Sequence, residues 1–322
     1  MKNYDIYNKF SVNYYKAKQY SDFLKKARTR AVTVDDIIHF GYKLMKKYKL
    51  HAHFFADNSL LSTAKYLVDY GLANINEYQN EGVLTQAVIY KIFTLFEQRI
   101  AQRIPVEYIT KEAEYLGFKY YVNEHVLVPR SIMNTRFIDF LNNMTWYNHR
   151  VLDLCTGSGC IGLTLALLES SIKVDLADIS LEALEVAQSN IHRYNLSHRV
   201  HCVNTNLFDS IIGKYDLIIS NPPYVSSDEY QKIPEEFKAE PKIALEAGKD
   251  GLDIVHRMLA QAKQYLNPNG VLIVEVGFSA AKRIKKQYPH IHFEWFKYRK
   301  PNGRVSLFSM DGVFLCRYAD LP

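Results

Sequence analysis

Cysteine is scarce in this 322-residue chain: Cys155, Cys160, Cys202 and Cys316 are all there is, with no CxxC pair and no histidine at zinc-finger spacing. That excludes a disulfide-stapled scaffold and offers no metal-ligand pattern, so the four are expected to be reduced residues of core and loop. Long apolar runs are missing too. Residues 1–21 intersperse lysines with tyrosine and asparagine where a signal peptide needs an unbroken apolar centre. Nothing downstream reaches the roughly 18 uncharged apolar residues of a membrane span. There is no internal repeat and no low-complexity stretch. With 48% hydrophobic and 23% charged residues and a mean hydropathy of −0.20, the composition excludes a disordered or collagen-like chain. The expectation is a cytoplasmic protein without membrane or metal, of two domains at about 100–200 residues each.

The net charge of +6 is mild but uneven. Residues 1–105 hold 16 Lys and Arg against 9 Asp and Glu, a net of +7, which leaves −1 for the rest. Eight of those cations lie in residues 1–30, interleaved with Tyr4, Tyr7, Tyr14, Tyr15 and Tyr20. Such a segment either meets a phosphate backbone or an RNA-rich particle, or forms a solvated helix face.

Periodicity divides the chain. In residues 1–105, Thr33 with Asp36 resembles a capping box, followed by Ile37, Phe40, Leu44, Met45 and Tyr48 on one helix face. From Thr85, a second stripe runs through Ile89, Ile92, Phe93, Phe96 and Ile100 to a break at 103–105. Between them Ala64, Leu67 and Val68 mark a shorter helix stopped by Gly71. Residues 106–130 read as a linking β-hairpin, with strands at 118–122 and 126–128 around Asn123-Glu124. From 131 to 322, short apolar runs at 151–154, 174–177, 200–203, 217–220 and 271–276 alternate with helical stretches. That alternation predicts an α/β fold with a mostly parallel sheet. Two further strand-like runs in 291–318 predict an antiparallel pair at its edge.

The first strand of that sheet leads into Cys155-Thr156-Gly157-Ser158-Gly159 and then a helix. Glycines there let a ligand approach the backbone, and the turn serves either a dinucleotide pyrophosphate or S-adenosylmethionine. Asp178, ending the second strand about 20 residues on, is placed to accept from ribose hydroxyls, which both cofactors carry. The choice falls at Asn221-Pro222-Pro223-Tyr224, which ends the fourth strand. Two prolines fix the backbone and remove two donors, leaving carbonyls free. A planar NH2 that attacks a methyl sulfonium needs in-plane acceptors, which the Asn221 side chain and the Pro222 carbonyl supply, and Tyr224 offers a wall to stack on. Hydride transfer has no use for these four residues. Glu275, ending the fifth strand, either lines the cleft or caps a neighbouring loop. None of the eleven histidines is assigned a catalytic role.

The Gly157/Gly159 turn, Asp178 and Asn221-Pro222-Pro223-Tyr224 together resemble the class I methyltransferases of planar nitrogen. Val128-Pro129-Arg130, Glu240-Pro241, Ala244-Leu245, Gly248 and Asp250-Gly251-Leu252 narrow the resemblance to bacterial protein-glutamine methyltransferases over roughly residues 85–322. Arg103-Ile104-Pro105-Val106-Glu107-Tyr108, Val128-Pro129-Arg130-Ser131 and Asp153-Leu154-Cys155-Thr156-Gly157-Ser158-Gly159-Cys160 look most like the branch acting on large-subunit ribosomal protein three. The resemblance implies a Rossmann-like sheet with an antiparallel edge strand, a helical N-terminal substrate-recognition domain, and S-adenosylmethionine as cofactor. It implies that the turn Cys155, Thr156, Gly157, Ser158 and Gly159 contacts the methionine part and Asp178 the ribose. Asn206 and Leu207 would contact adenine, Asn221 would touch the cofactor as well as the substrate, and Asn221, Pro222, Pro223 and Tyr224 would hold the substrate amide. Asn206 stands where relatives usually carry Asp, and Thr135 where Glu is expected. The alternatives are glutamine methylation of peptide-release factors, adenine methylation of nucleic acid, and a non-catalytic ribosome-assembly factor.

Overall fold

Thr33 opens the first helix through a reciprocal box. Its hydroxyl accepts the Asp36 N–H at 3.2 Å, while the Asp36 carboxylate accepts the Thr33 N–H at 3.1 Å. In the computed structural model, residues 20–23, 25, 31–50, 60–74, 84–133, 149–296 and 312–322 are described. Most of the basic segment 1–30, Thr135 and the tail 298–310 lie outside them. The chain divides into two units, Met1–Thr110 and Lys111–Pro322.

The described residues of the first unit are mainly helical. Helices α1 (Val34–Lys47), α2 (Leu60–Ala73) and α3 (Gln86–Ala101) enclose one apolar cluster, to which α3 gives Ile89, Ile92, Phe93, Phe96 and Ile100. Thr85 caps α3, its hydroxyl accepting the Val88 N–H at 3.3 Å. Gly71 does not stop α2 as its residue type suggested. The helix runs on to Ala73, and Gly71 instead lets α3 come close, since a Cβ there would fall 2.9 Å from Ile92 Cγ1. A short α4 (Val106–Thr110) follows Pro105.

The second unit begins with a hairpin, β1 (Glu112–Tyr115) and β2 (Phe118–Tyr121), in antiparallel register from Glu112↔Tyr121 to Tyr115↔Phe118. The strand at 118–122 is therefore present, but its partner lies before it; 126–128 is not a strand. The turn is Leu116-Gly117, both with positive φ (52° and 83°), the backbone that a two-residue hairpin requires.

Seven strands form the main sheet in the order β5-β4-β3-β6-β7-β9-β8. Strands β3 (Arg150–Leu154), β4 (Lys173–Asp178), β5 (Val200–Asn204), β6 (Tyr215–Ser220) and β7 (Leu266–Glu275) are parallel. Strand β9 (Val313–Arg317) runs antiparallel to both β7 and the edge strand β8 (Glu294–Trp295). Helices α5 (Cys160–Leu168), α6 (Leu181–Arg193), α7 (Ser227–Tyr230), α8 (Glu235–Lys238), α9 (Asp253–Tyr265) and α10 (Phe278–Gln287) complete the α/β unit. Both sheet faces are buried, one against Leu163 and Ala187, the other against Val255 and Ala280. The fold is thus the expected Rossmann-like, mostly parallel sheet with an antiparallel edge. The chain steps from β3 outward to β5, then returns to place β6 on the other side of β3. At that reversal the loops leaving β3 and β6 diverge and open a crevice at the carboxyl ends of the strands.

Candidate active site

The loop leaving β3 is held from below. Asp153, 1% exposed, accepts the Thr156 hydroxyl at 2.6 Å and the Gly162 N–H at 2.9 Å, both on Oδ2, and its Oδ1 has no partner. Burial pushes its carboxyl up to about 7 against those two hydrogen bonds. Gly162 must be glycine, because a Cβ would fall 2.5 Å from Leu176 Cδ2 and 3.0 Å from Asp153 Oδ2. Gly157 is different. It has φ +56° and a Cβ there would meet nothing within 4 Å, so its bare backbone faces the crevice at the amino end of α5.

Asp178 closes the loop from the next strand. Its Oδ2 accepts the Gly157 N–H at 2.9 Å and its Oδ1 the Ser180 N–H at 3.0 Å. Burial raises its pKa, and the backbone N–H groups partly offset that. Each oxygen keeps a lone pair for a further donor. From the neighbouring strand the Thr205 N–H donates to the Asp178 carbonyl at 2.9 Å, which brings Asn206 and Leu207 alongside. Leu207 is buried with φ +57°, its carbonyl accepting the Thr205 hydroxyl, while Asn206 is exposed.

Ser220 anchors the end of β6 by donating its hydroxyl to the Leu154 carbonyl at 2.6 Å. The next residue, Asn221, carries a buried Oδ1 with no hydrogen-bond partner. A buried amide oxygen without a donor costs about 1–3 kcal/mol, and a ligand N–H removes that penalty. Tyr224 directs its hydroxyl to Glu275 Oε1 at 3.3 Å, and its ring packs on Gly277. Glu275 caps the loop 131–132, accepting the Ser131 hydroxyl at 2.6 Å and the Ile132 N–H at 3.0 Å. That is the second of the two readings open to it, and burial raises its carboxyl to about 7.

These loops surround a cavity of about 250 Å³. Of the residues expected at the site, Cys155, Thr156, Gly157, Ser158, Asp178, Asn206, Leu207, Asn221 and Pro223 line it. Gly159 packs on Leu163 and Leu176, and neither Pro222 nor Tyr224 is part of the lining. Sequence reasoning missed four contributors. Arg130, Ile254 and Arg257 also line the cavity, and Glu240 holds Arg130. The Val128-Pro129-Arg130 and Glu240-Pro241 motifs were visible, but only the fold shows them as one unit. Burial pushes the Cys155 thiol up.

Comparison with known proteins gives matches of three kinds. The family model described as the methyltransferase small domain matches residues 135–287. A ribosomal protein uL3 glutamine methyltransferase of Neisseria meningitidis serogroup A is 34% identical over 292 residues, 89% of this chain and 96% of that protein. Its namesake in Francisella tularensis is 40% identical over 228 residues, 69% of this chain and 71% of that one. Among solved structures, a methyltransferase from Pyrococcus furiosus matches with a TM-score of 0.46 and 21% identity, covering 69% of this chain and 98% of the other.

Proposed function

The chain belongs to the ribosomal protein uL3 glutamine methyltransferases, and from that premise we propose that it transfers a methyl group from S-adenosylmethionine to a glutamine side-chain amide of uL3. The observation that carries the reading is the buried, partnerless Asn221 Oδ1 beside the cavity. It lacks one N–H, and a primary amide brings two.

The residues present fit the cofactor. Gly157 leaves open space where a side chain would stand, the amino end of α5 attracts a carboxylate, and Asp178 retains acceptor capacity for a ribose diol. When bound, S-adenosylmethionine supplies a methyl group on an electrophilic sulfonium. The protein supplies alignment. Asn221 Oδ1 accepts one amide N–H and the Pro222 carbonyl the other, which fixes the plane of the nitrogen and favours positive charge developing there. Tyr224, braced by Glu275 and Gly277, backs that plane. No side-chain base is needed, because a methylated amide nitrogen that carries positive charge gives its proton to water. We assign partner recognition to residues 1–105, whose charge of +7 suits an RNA-associated ribosomal protein or an assembly intermediate.

The test is radiolabelled methyl transfer into undermethylated ribosomal proteins, a peptide-release factor and DNA, with products mapped by mass spectrometry. Label on a uL3 glutamine is the expected result. Label on the release factor or on DNA overturns the substrate, and cofactor binding without any label overturns the activity.

A further inference from the structure

Arg257 is a charged group of the cavity that the mechanism leaves unused. It lies on α9 one turn beyond Ile254, and both line the cavity. Among the described residues nothing pairs with it. The other guanidinium of the lining, Arg130, is held by Glu240 at 2.5 Å. The two lining carboxylates are engaged elsewhere, Glu246 with Lys242 at 2.8 Å and Asp178 with the N–H groups of Gly157 and Ser180. A partly buried arginine in a cleft, without an anion of the protein beside it, is available to a ligand.

Its surroundings say which part of a ligand. Ile254 packs in the same apolar cluster as Leu207, on the face of the sheet to which Cys155 also turns. The Arg257 charge reaches the Cys155 thiol, where it partly offsets the effect of burial. Arg257 therefore shares the cavity with Cys155, Leu207 and Ile254, and its charge is felt at Cys155. A cofactor with its carboxylate at the amino end of α5 and its ribose on Asp178 extends its base toward the next strand, β5. There Asn204 stands opposite Asp178 in register, and the loop carrying Leu207 follows. At that end Leu207 and Ile254 give apolar walls, and Asn206 and the planar cation of Arg257 are polar groups, a combination that suits a purine, whose edge hydrogen-bonds and whose face stacks.

We propose that Arg257 is a cofactor-binding residue whose guanidinium stacks on the adenine ring; this rests on the cofactor reading above. It adds affinity for every adenosine-containing ligand of the site and makes no contact with the substrate protein.

Calorimetric titration of the full chain tests it with two probes, S-adenosylhomocysteine and methylthioadenosine, which keeps adenine and ribose but lacks the carboxylate. Arg257→Ala weakens both by the same factor, about five- to thirtyfold for the loss of one cation–π stack. Arg257→Lys recovers only a minor part, since the ammonium has no plane to stack, and it carries the test should the alanine variant fail to fold. Weakening of S-adenosylhomocysteine alone assigns Arg257 to the carboxylate and overturns the proposal, as do unchanged affinities for both probes. If the unaltered protein binds neither probe, the cofactor reading falls and the proposal with it.

Discussion

Arg130 and Glu240 lie 110 residues apart in sequence and 2.5 Å apart in space. The second carboxylate oxygen of Glu240 accepts the Val128 N–H at 3.0 Å, and the Arg130 guanidinium lies over the Phe237 ring at 4.8 Å from its centroid. One buried carboxylate thus fixes both ends of the Val128-Pro129-Arg130 wall of the cavity. Burial raises the pKa of Glu240 and Arg130 pulls it back down. Removing one partner of such a pair strands the other, so Glu240→Ala is expected to lose about 3 kcal/mol in urea denaturation. Glu240→Gln, which keeps an acceptor for Val128, should lose less.

Gly157 and Gly162 sit five residues apart and are glycine for opposite reasons, which substitution by alanine separates. At Gly162 the new methyl collides with Leu176 and Asp153, and overpacking of this kind costs about 1–3 kcal/mol of stability. At Gly157 the methyl enters open space. The strain of φ +56° is then the main folding penalty, about 1 kcal/mol. Cofactor affinity should instead fall at least about tenfold, because the group occupies the volume a ligand needs. Melting temperatures and calorimetric binding of the two variants check this pair.

The five parallel strands and the Asn221 turn were legible because short apolar runs between helical stretches leave few topologies open, and Pro-Pro after a strand has few uses. The hairpin partner was not. Its turn places Leu116 at φ 52°, a residue type that does not advertise a turn, whereas Asn123-Glu124 does. Gly71 misled in the same way, since a helix-interior glycine that admits a neighbour reads in sequence like a glycine that ends a helix. Arg257 was invisible for a further reason. A solvated arginine and one without an anion in a cleft have the same local sequence, and only the fold brings it to the cavity that Leu207 also lines.

Asp153 and Glu275 give the second unit a defined pH response. Both carboxyls are raised to about 7 by burial from ordinary values of 3.8 and 4.5. A raised folded-state value means that the native state holds the protons more tightly. Stability is then fully present below the ordinary values and falls as pH rises through about 7. Asp153→Asn keeps an acceptor for Thr156 and Gly162 and cannot ionise. Glu275→Gln does the same for Ser131 and Ile132. Each substitution should flatten the decline in melting temperature between pH 5 and pH 8, and the double variant should flatten it further. A slope unchanged in all three variants would assign the pH response to other groups.

Asn221 and Pro222 separate alignment from binding. The Asn221 amide oxygen is the acceptor without a partner, so Asn221→Ala should leave the affinity for S-adenosylhomocysteine within a few fold. Methyl transfer should fall at least about a hundredfold, the scale on which an aligned hydrogen-bonding group acts. Pro222→Ala keeps its carbonyl and mainly restores backbone freedom, so its loss in kcat should be about tenfold or less. The order of the two losses is the informative result. If Pro222→Ala costs more than Asn221→Ala, rigidity of the turn matters more than the amide acceptor, and the role given to Asn221 Oδ1 is wrong even though both residues stay at the site.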